Sequence, residues 1–275
     1  MSAAMSAAPV LDPAALKVVR RGSGAPVLLV HGSAADHTTW MAQLARPPQG
    51  LAVVAYDRRG CDSAPFPPGV VPETAHHVDD AVALIRRESP GRAVLVCGSS
   101  FGGVVALELA RRAPELVAGL VVCEPPLPPA DTVSGAPPGF GCAFDRLVAT
   151  AGGEAAAEMF LRTVLGDQGF ADLGQRVQGV LRAMWRQIRA DMIALARTRV
   201  AYTDLSAVAQ PVLLIGAERS PAYYDSTLDA LARALPAARR ARIPDAGHAM
   251  HIDNHRAFSG ALLEFARDIG LTGGR

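Results

Sequence analysis

One pentapeptide constrains this chain more than any other stretch. It is Gly98-Ser99-Ser100-Phe101-Gly102, a serine with a glycine two residues to either side. The preceding residues, Ala93-Val94-Leu95-Val96-Cys97, form an apolar run opened by a Pro90-Gly91 turn signal. Such a run reads as a strand buried on both faces. The following residues, Gly103 to Arg112, are rich in helix formers and stop before Pro114. The pentapeptide therefore falls where a buried strand turns abruptly into a helix. A turn that tight demands small residues at positions 98 and 102. It lifts Ser100 above the sheet edge, beside a helix N-terminus whose N–H groups and dipole favour negative charge.

Around this point the chain repeats one alternation. Pro26–Val30, Leu51–Tyr56, Ala93–Cys97 and Leu116–Cys123 are apolar, strand-like runs, with helical segments between them and no hairpin signals. Within Thr74–Ser89, Val78, Ala81, Val82 and Ile85 share one helical face. Leu16–Arg20 reads as an edge strand. The pattern predicts an α/β fold, a mostly parallel twisted sheet flanked by helices. It breaks after Pro126. Leu173, Val177, Leu181, Met184 and Ile188 then fall on one helical stripe, and Phe144, Leu147, Met159, Phe160, Val164 and Leu165 add apolar surface. We read residues 127–209 as a helical lid. Residues 1–126 and 210–275 form the core, which resumes at Pro211–Ile215. It continues through a helix bearing Leu228, Leu231 and Leu235 and a short strand Ala241–Ile243. A last helix carries Phe258, Ala261, Leu262, Phe265 and Ile269.

Composition excludes several classes. The chain has 275 residues, 50% hydrophobic and 19% charged, with a net charge of +1. This describes a globular protein with no basic tract for nucleic acid or an anionic membrane. No apolar run approaches the roughly 20 residues a bilayer span requires. The Ala-rich start through Leu16 lacks the charged and apolar regions of a signal peptide. Cys61, Cys97, Cys123 and Cys142 show no C-x-x-C spacing and read as buried or inert thiols. A cytoplasmic monomer or homodimer is expected, acting on a small apolar molecule without cofactor or metal.

A serine hydroxyl attacks a carbonyl only when a base takes its proton, and the base works best when a third group orients it. His248, in the loop Pro244-Asp245-Ala246-Gly247-His248 past the last strand run, is the candidate base. Parallel strands end on one edge, so this loop and Ser100 can meet there. His251, Asp253 and His255 lie close by and would permit a metal site, but no matching cluster occurs elsewhere in the chain. The N–H of Phe101 and that of Ser33, in the loop after Pro26–Val30, are the candidate oxyanion donors.

The chain resembles the α/β-hydrolase superfamily. The matching residues are His31-Gly32, Asp57-Arg58-Arg59-Gly60 with Ser63, the elbow at Ser100, and Gly247-His248. The resemblance covers roughly Pro26 to Pro126 and Pro211 to Ala266. It implies a Ser–acid–His triad, and Ser100 in place of an aspartate points to the ester, thioester or carbon–carbon hydrolase branches. One position departs from the common pattern. Relatives usually keep the acid three residues past the glycine ending the strand after the lid, but three past Gly216 stands Arg219, with Glu218 one short. Glu124, ending the strand after the elbow helix, is the favoured acid, as in branches that include haloalkane dehalogenases. Glu218 is the alternative. The expected activity is hydrolysis of a carboxylic ester of a small to medium apolar substrate through an acyl-enzyme. Carbon–carbon or thioester cleavage and acyl transfer would use the same residues, and a non-catalytic ligand-binding protein of the same fold is the reading from another class.

Overall fold

The computed structural model describes residues 16–127, 139–198 and 202–272. The Ala-rich start up to residue 15 and most of the Pro/Gly-rich stretch before Phe140 lie outside them. The strands are β1 (Val18–Gly22), β2 (Ala25–Val30), β3 (Leu51–Tyr56), β4 (Val94–Ser99), β5 (Val117–Cys123), β6 (Val212–Ala217) and β7 (Ala238–Ile243). Among the helices, α1 (Met41–Ala45), α2 (Thr74–Glu88) and α3 (Phe101–Arg112) follow β2, β3 and β4 respectively. Next come α4 (Phe140–Ala151), α5 (Gly153–Ala171), α6 (Gln175–Ala183) and α7 (Trp185–Arg197), then α8 (Tyr223–Ala234), α9 (Met250–Asp253) and α10 (His255–Asp268).

The seven strands form one sheet in the order β1-β3-β2-β4-β5-β6-β7. Every pairing is parallel except that of β1, an edge strand antiparallel to β3. Strands β2 to β6 are buried on both faces, which explains their uninterrupted apolar sequences. On one face Val96, Val105, Leu84, Leu214 and Leu228 join α2, α3 and α8 to the sheet. On the other, Trp40, Leu29, Cys97, Ile215, Phe258 and Leu262 do the same for α1 and α10. The order reverses direction beside β4, the point where open parallel sheets gather their ligand sites.

The helical segment between β5 and β6 has its own core around Phe144, Leu161, Phe170 and Ile188. The single stripe expected across Leu173–Ile188 is broken. Leu173 precedes α6, Met184 separates α6 from α7, and Val177 is exposed. Leu181, Trp185 and Ile188 still pack inward, so a periodic sequence is distributed over two helices rather than one. The last strand is also longer than expected, because β7 contains Arg239, Arg240 and Arg242, which hide it from an apolar-run reading. These arginines are exposed and paired with Asp268, Asp229 and Asp225. Charge on an edge strand discourages pairing with other chains. Cys61, Cys97 and Cys123 are buried, but Cys142 is exposed, since α4 presents it to the cavity described below. No helix among the described residues is long and apolar enough to cross a membrane.

Candidate active site

Ser100 stands between β4 and α3 with φ 53° and ψ −124°, a conformation that L-residues rarely adopt. Sterics explain the flanking glycines. A Cβ at Gly98 would lie 2.2 Å from the Gly102 carbonyl oxygen, and one at Gly102 would lie 2.2 Å from the Val30 oxygen. The Ser100 N–H donates to the Cys123 carbonyl at 2.8 Å, which ties the turn to the end of β5. Four non-glycine residues among those described have positive φ: Ala34, Ser100, Glu124 and Asp245. All four follow the carboxyl ends of strands, in the loops that carry Ser33, Ser100, Glu124 and His248. Such strain persists only where surrounding contacts hold it, and it gathers at functional sites.

Glu124 and His248 meet. His248 Nδ1 donates to Glu124 Oε2 at 2.7 Å. The same oxygen accepts from Ser220 Oγ at 2.8 Å, and Oε1 accepts from the Ala217 N–H at 2.8 Å. Glu124 is only 1% exposed, and three donors compensate its burial. Glu218 is elsewhere. It accepts the Asp245 N–H at 2.9 Å, while Arg219 donates to the Asp245 carbonyl. Both thus brace the loop leading to His248.

The expected oxyanion groups lie beside Ser100. Gly32 packs against the serine so closely that a Cβ there would be 2.9 Å from Ser100 Cβ. Phe101 is the first residue of α3, so its N–H has no acceptor within the helix. Ser33 and Phe101 both line a cavity of about 430 Å³ over Ser100. Its wall is largely apolar: Pro125, Phe140, Phe144, Phe160, Val164, Met192 and Leu195 contribute, most of them from the helical insertion.

The other histidines have different tasks. His31 Nδ1–H donates to the Gly32 carbonyl at 2.8 Å, and its Nε2 accepts the Arg58 N–H at 3.0 Å. Burial and the nearby Arg58 hold its pKa well below the usual value, so the ring is neutral. His251 bonds Thr39 and packs on Trp40, and Asp253 accepts the Gly247 N–H. Those side chains brace the His248 loop. Asp36, His37 and Asp57 bring potential ligand atoms together, but Asp57 already accepts from the His37 N–H and ring and from Ser63, while Asp36 caps Thr38.

The profile of the Alpha/beta hydrolase family matches residues 27–261. The chain belongs to this family. Its fold superposes on a thermophilic esterase from Thermogutta terrifontis, solved with malate bound, with a TM-score of 0.77. The two are 26% identical over 92% of this chain and 93% of that one. An alpha/beta hydrolase from Sphaerobacter thermophilus gives a TM-score of 0.76 at 25% identity, over 91% and 95% of the two chains. Among curated proteins, the 2-hydroxymuconate semialdehyde hydrolase of Pseudomonas sp. CF600 is 36% identical over 107 residues. That stretch is 37% of this chain and 36% of the relative. Matches of this kind span 15–39% of the length of the curated relatives.

Two features of this α/β hydrolase escaped the sequence reading. Asp191, on α7 of the insertion, receives two hydrogen bonds from the fully buried Arg58, at 3.0 and 2.8 Å, and one from Ser33 Oγ at 2.8 Å. Arg58 also donates to the His31 and Gly32 carbonyls at 2.8 and 2.9 Å. Those bonds turn the carbonyls of the loop that carries Ser33 toward the guanidinium. The second feature is Tyr224, at the start of α8. Its ring stacks on the His248 imidazole, with centroids 4.4 Å apart. No local motif signals either. An Arg–Asp pair 133 residues apart and a tyrosine in an ordinary helix carry no spacing signature.

Proposed function

We propose that this α/β hydrolase cleaves carboxylic esters of small to medium apolar substrates through an acyl-enzyme on Ser100. The observation that carries the reading is the buried Glu124–His248 hydrogen bond of 2.7 Å, at the same carboxyl edge of the sheet as a serine held at positive φ under an apolar cavity. Ser100 Oγ attacks the carbonyl carbon and its proton passes to His248 Nε2. Glu124 fixes Nδ1 as the protonated nitrogen and stabilises the imidazolium. The N–H groups of Phe101 and Ser33 receive the oxyanion. Collapse of the tetrahedral intermediate expels the alcohol, which takes the proton from Nε2. Water activated by the same nitrogen then releases the acid. Positions 127–209 act as the lid that shapes the acyl pocket, and neither cofactor nor metal enters the scheme.

The esterase from Thermogutta terrifontis, similar over nearly the whole chain, supports ester chemistry. The test is a panel of p-nitrophenyl esters of rising acyl length. Burying each added CH₂ in the cavity contributes about 0.8 kcal/mol, so kcat/KM is expected to rise over the first few carbons. Preference for acetate over butyrate and hexanoate would refute an apolar acyl pocket. Carbon–carbon cleavage is the second reading. It is favoured by the likeness to a semialdehyde hydrolase and requires only that the expelled group be a carbanion equivalent protonated at carbon.

A further inference from the structure

Tyr224 places a phenol against the nitrogen through which the proposed reaction moves its protons, and the scheme above gives it no task. The residue is 2% exposed and lines the same cavity as Ser100. Its ring lies within 12° of parallel to the His248 imidazole, and its Oη is 3.3 Å from Nε2. Near-parallel planes and so short a distance place the hydroxyl over the face of the imidazole at Nε2. The lone pair of that nitrogen points outward in the ring plane, so it stays available to Ser100. The phenolic hydrogen can then turn toward whatever oxygen occupies the cavity next to Nε2. The neighbouring Tyr223 lies against Tyr224 with centroids 4.2 Å apart and ring planes tilted by 37°, shares a hydrogen bond with its hydroxyl, which must be given up to reach a ligand, and donates from Oη to the Thr163 carbonyl at 3.4 Å. The two phenols form a polar corner in a mostly apolar cavity. Burial holds both in the protonated, donating form, with Tyr223 pushed up to about 12.

In the proposed reaction the oxygen that must sit beside Nε2 is that of the leaving group. Cleavage of the acyl carbon–oxygen bond leaves the electron pair on it, and the His248 Nε2 proton moves to it. We propose that Tyr224 donates a hydrogen bond to this leaving-group oxygen, which suits the site to unactivated alkyl esters, whose alcohols depart poorly without such help. Tyr224 gives up no proton in the step; it lowers the charge developing on the oxygen while His248 supplies the proton. This rests on the ester reading of the Ser100 site.

The experiment compares wild type with Tyr224→Phe on two esters of one acid, ethyl butyrate and p-nitrophenyl butyrate. For both, kcat/KM reports events up to acyl-enzyme formation. p-Nitrophenolate leaves as a stable anion and needs no donor, whereas ethoxide does. A hydrogen bond to developing charge accounts for roughly 10- to 100-fold. Tyr224→Phe is therefore expected to lower kcat/KM by that factor for the ethyl ester and by less than about threefold for the p-nitrophenyl ester. The ratio of the two is measured on one preparation, so partial misfolding cancels from it. Equal losses on both esters, or a fall in kcat alone with both kcat/KM values intact, would overturn the assignment and leave the ester reading standing. Hydrolysis of neither ester by the wild type would overturn the ester reading and this inference with it.

Discussion

Replacing Glu124 by glutamine changes one buried atom and puts the orienting role of this carboxylate to the test. Glu124 receives three hydrogen bonds, from the Ala217 N–H on Oε1 and from Ser220 Oγ and His248 Nδ1 on Oε2. The amide can be placed in two ways. With its nitrogen at the Oε2 position it meets the His248 Nδ1–H donor to donor. The imidazole then moves its proton to Nε2, which can no longer accept one from Ser100. With its oxygen there instead, the His248 bond survives but the amide nitrogen faces the Ala217 N–H in a buried site, at a cost of about 1–3 kcal/mol. Either way the neutral amide also forgoes the charge-assisted bond to the imidazolium, about 1.5–3 kcal/mol. Together these approach ~4 kcal/mol, or on the order of 10³ in kcat. The assay is kcat on a short p-nitrophenyl ester, with the urea midpoint as the check on folding. Glu218→Gln is the control. Its carboxylate bonds the exposed Asp245 N–H, and an amide oxygen does the same, so the loss is expected to stay under about tenfold. The reverse ranking would refute the argument, as would a Glu124→Gln variant within tenfold of wild type.

Two other perturbations follow from the buried charges. Asp191→Ala strands the Arg58 guanidinium in the interior and is expected to cost about 3–5 kcal/mol of unfolding free energy by urea titration, most of it recovered by Arg58→Met in the same chain; a loss under about 1 kcal/mol would show that the pair carries no stability. His31, His77 and His251 all have pKa values lowered chiefly by burial, with His251 pushed down to about 3. Between that value and the ordinary 6.5 the unfolded chain binds a proton that folded His251 refuses, so stability falls as pH drops, by about 1.4 kcal/mol per pH unit for His251, and His31 and His77 act in the same direction. Urea titrations at pH 7.5, 6 and 5 are expected to show that decline, and a flat profile would contradict it.

The strands were legible because burial on both faces leaves β2 to β6 apolar almost throughout, Ser99 at the end of β4 being the polar exception. The turn at Ser100 was legible because two glycines are forced by backbone contacts of 2.2 Å. Glu124 could be singled out because it ends a strand that pairs with the one carrying Ser100. What remained hidden depends on tertiary approach. Asp191 looks like any helical acid until α7 folds over the sheet and brings it to Arg58. Tyr224 resembles its neighbour Tyr223 until the His248 loop packs against it. Strand β7 fails the hydrophobic test because it lies at the sheet edge, paired only to β6, with Arg239, Arg240 and Arg242 exposed rather than packed between two buried faces.

In the proposed reaction Ser100 is the nucleophile. Treatment with a fluorophosphonate probe, followed by peptide mass spectrometry, addresses this directly. One adduct is expected, on Ser100, absent from Ser100→Ala, with kcat in that variant lowered by on the order of 10⁴ or more. An adduct on another residue, or a folded Ser100→Ala protein that still turns over esters at a substantial rate, would contradict it.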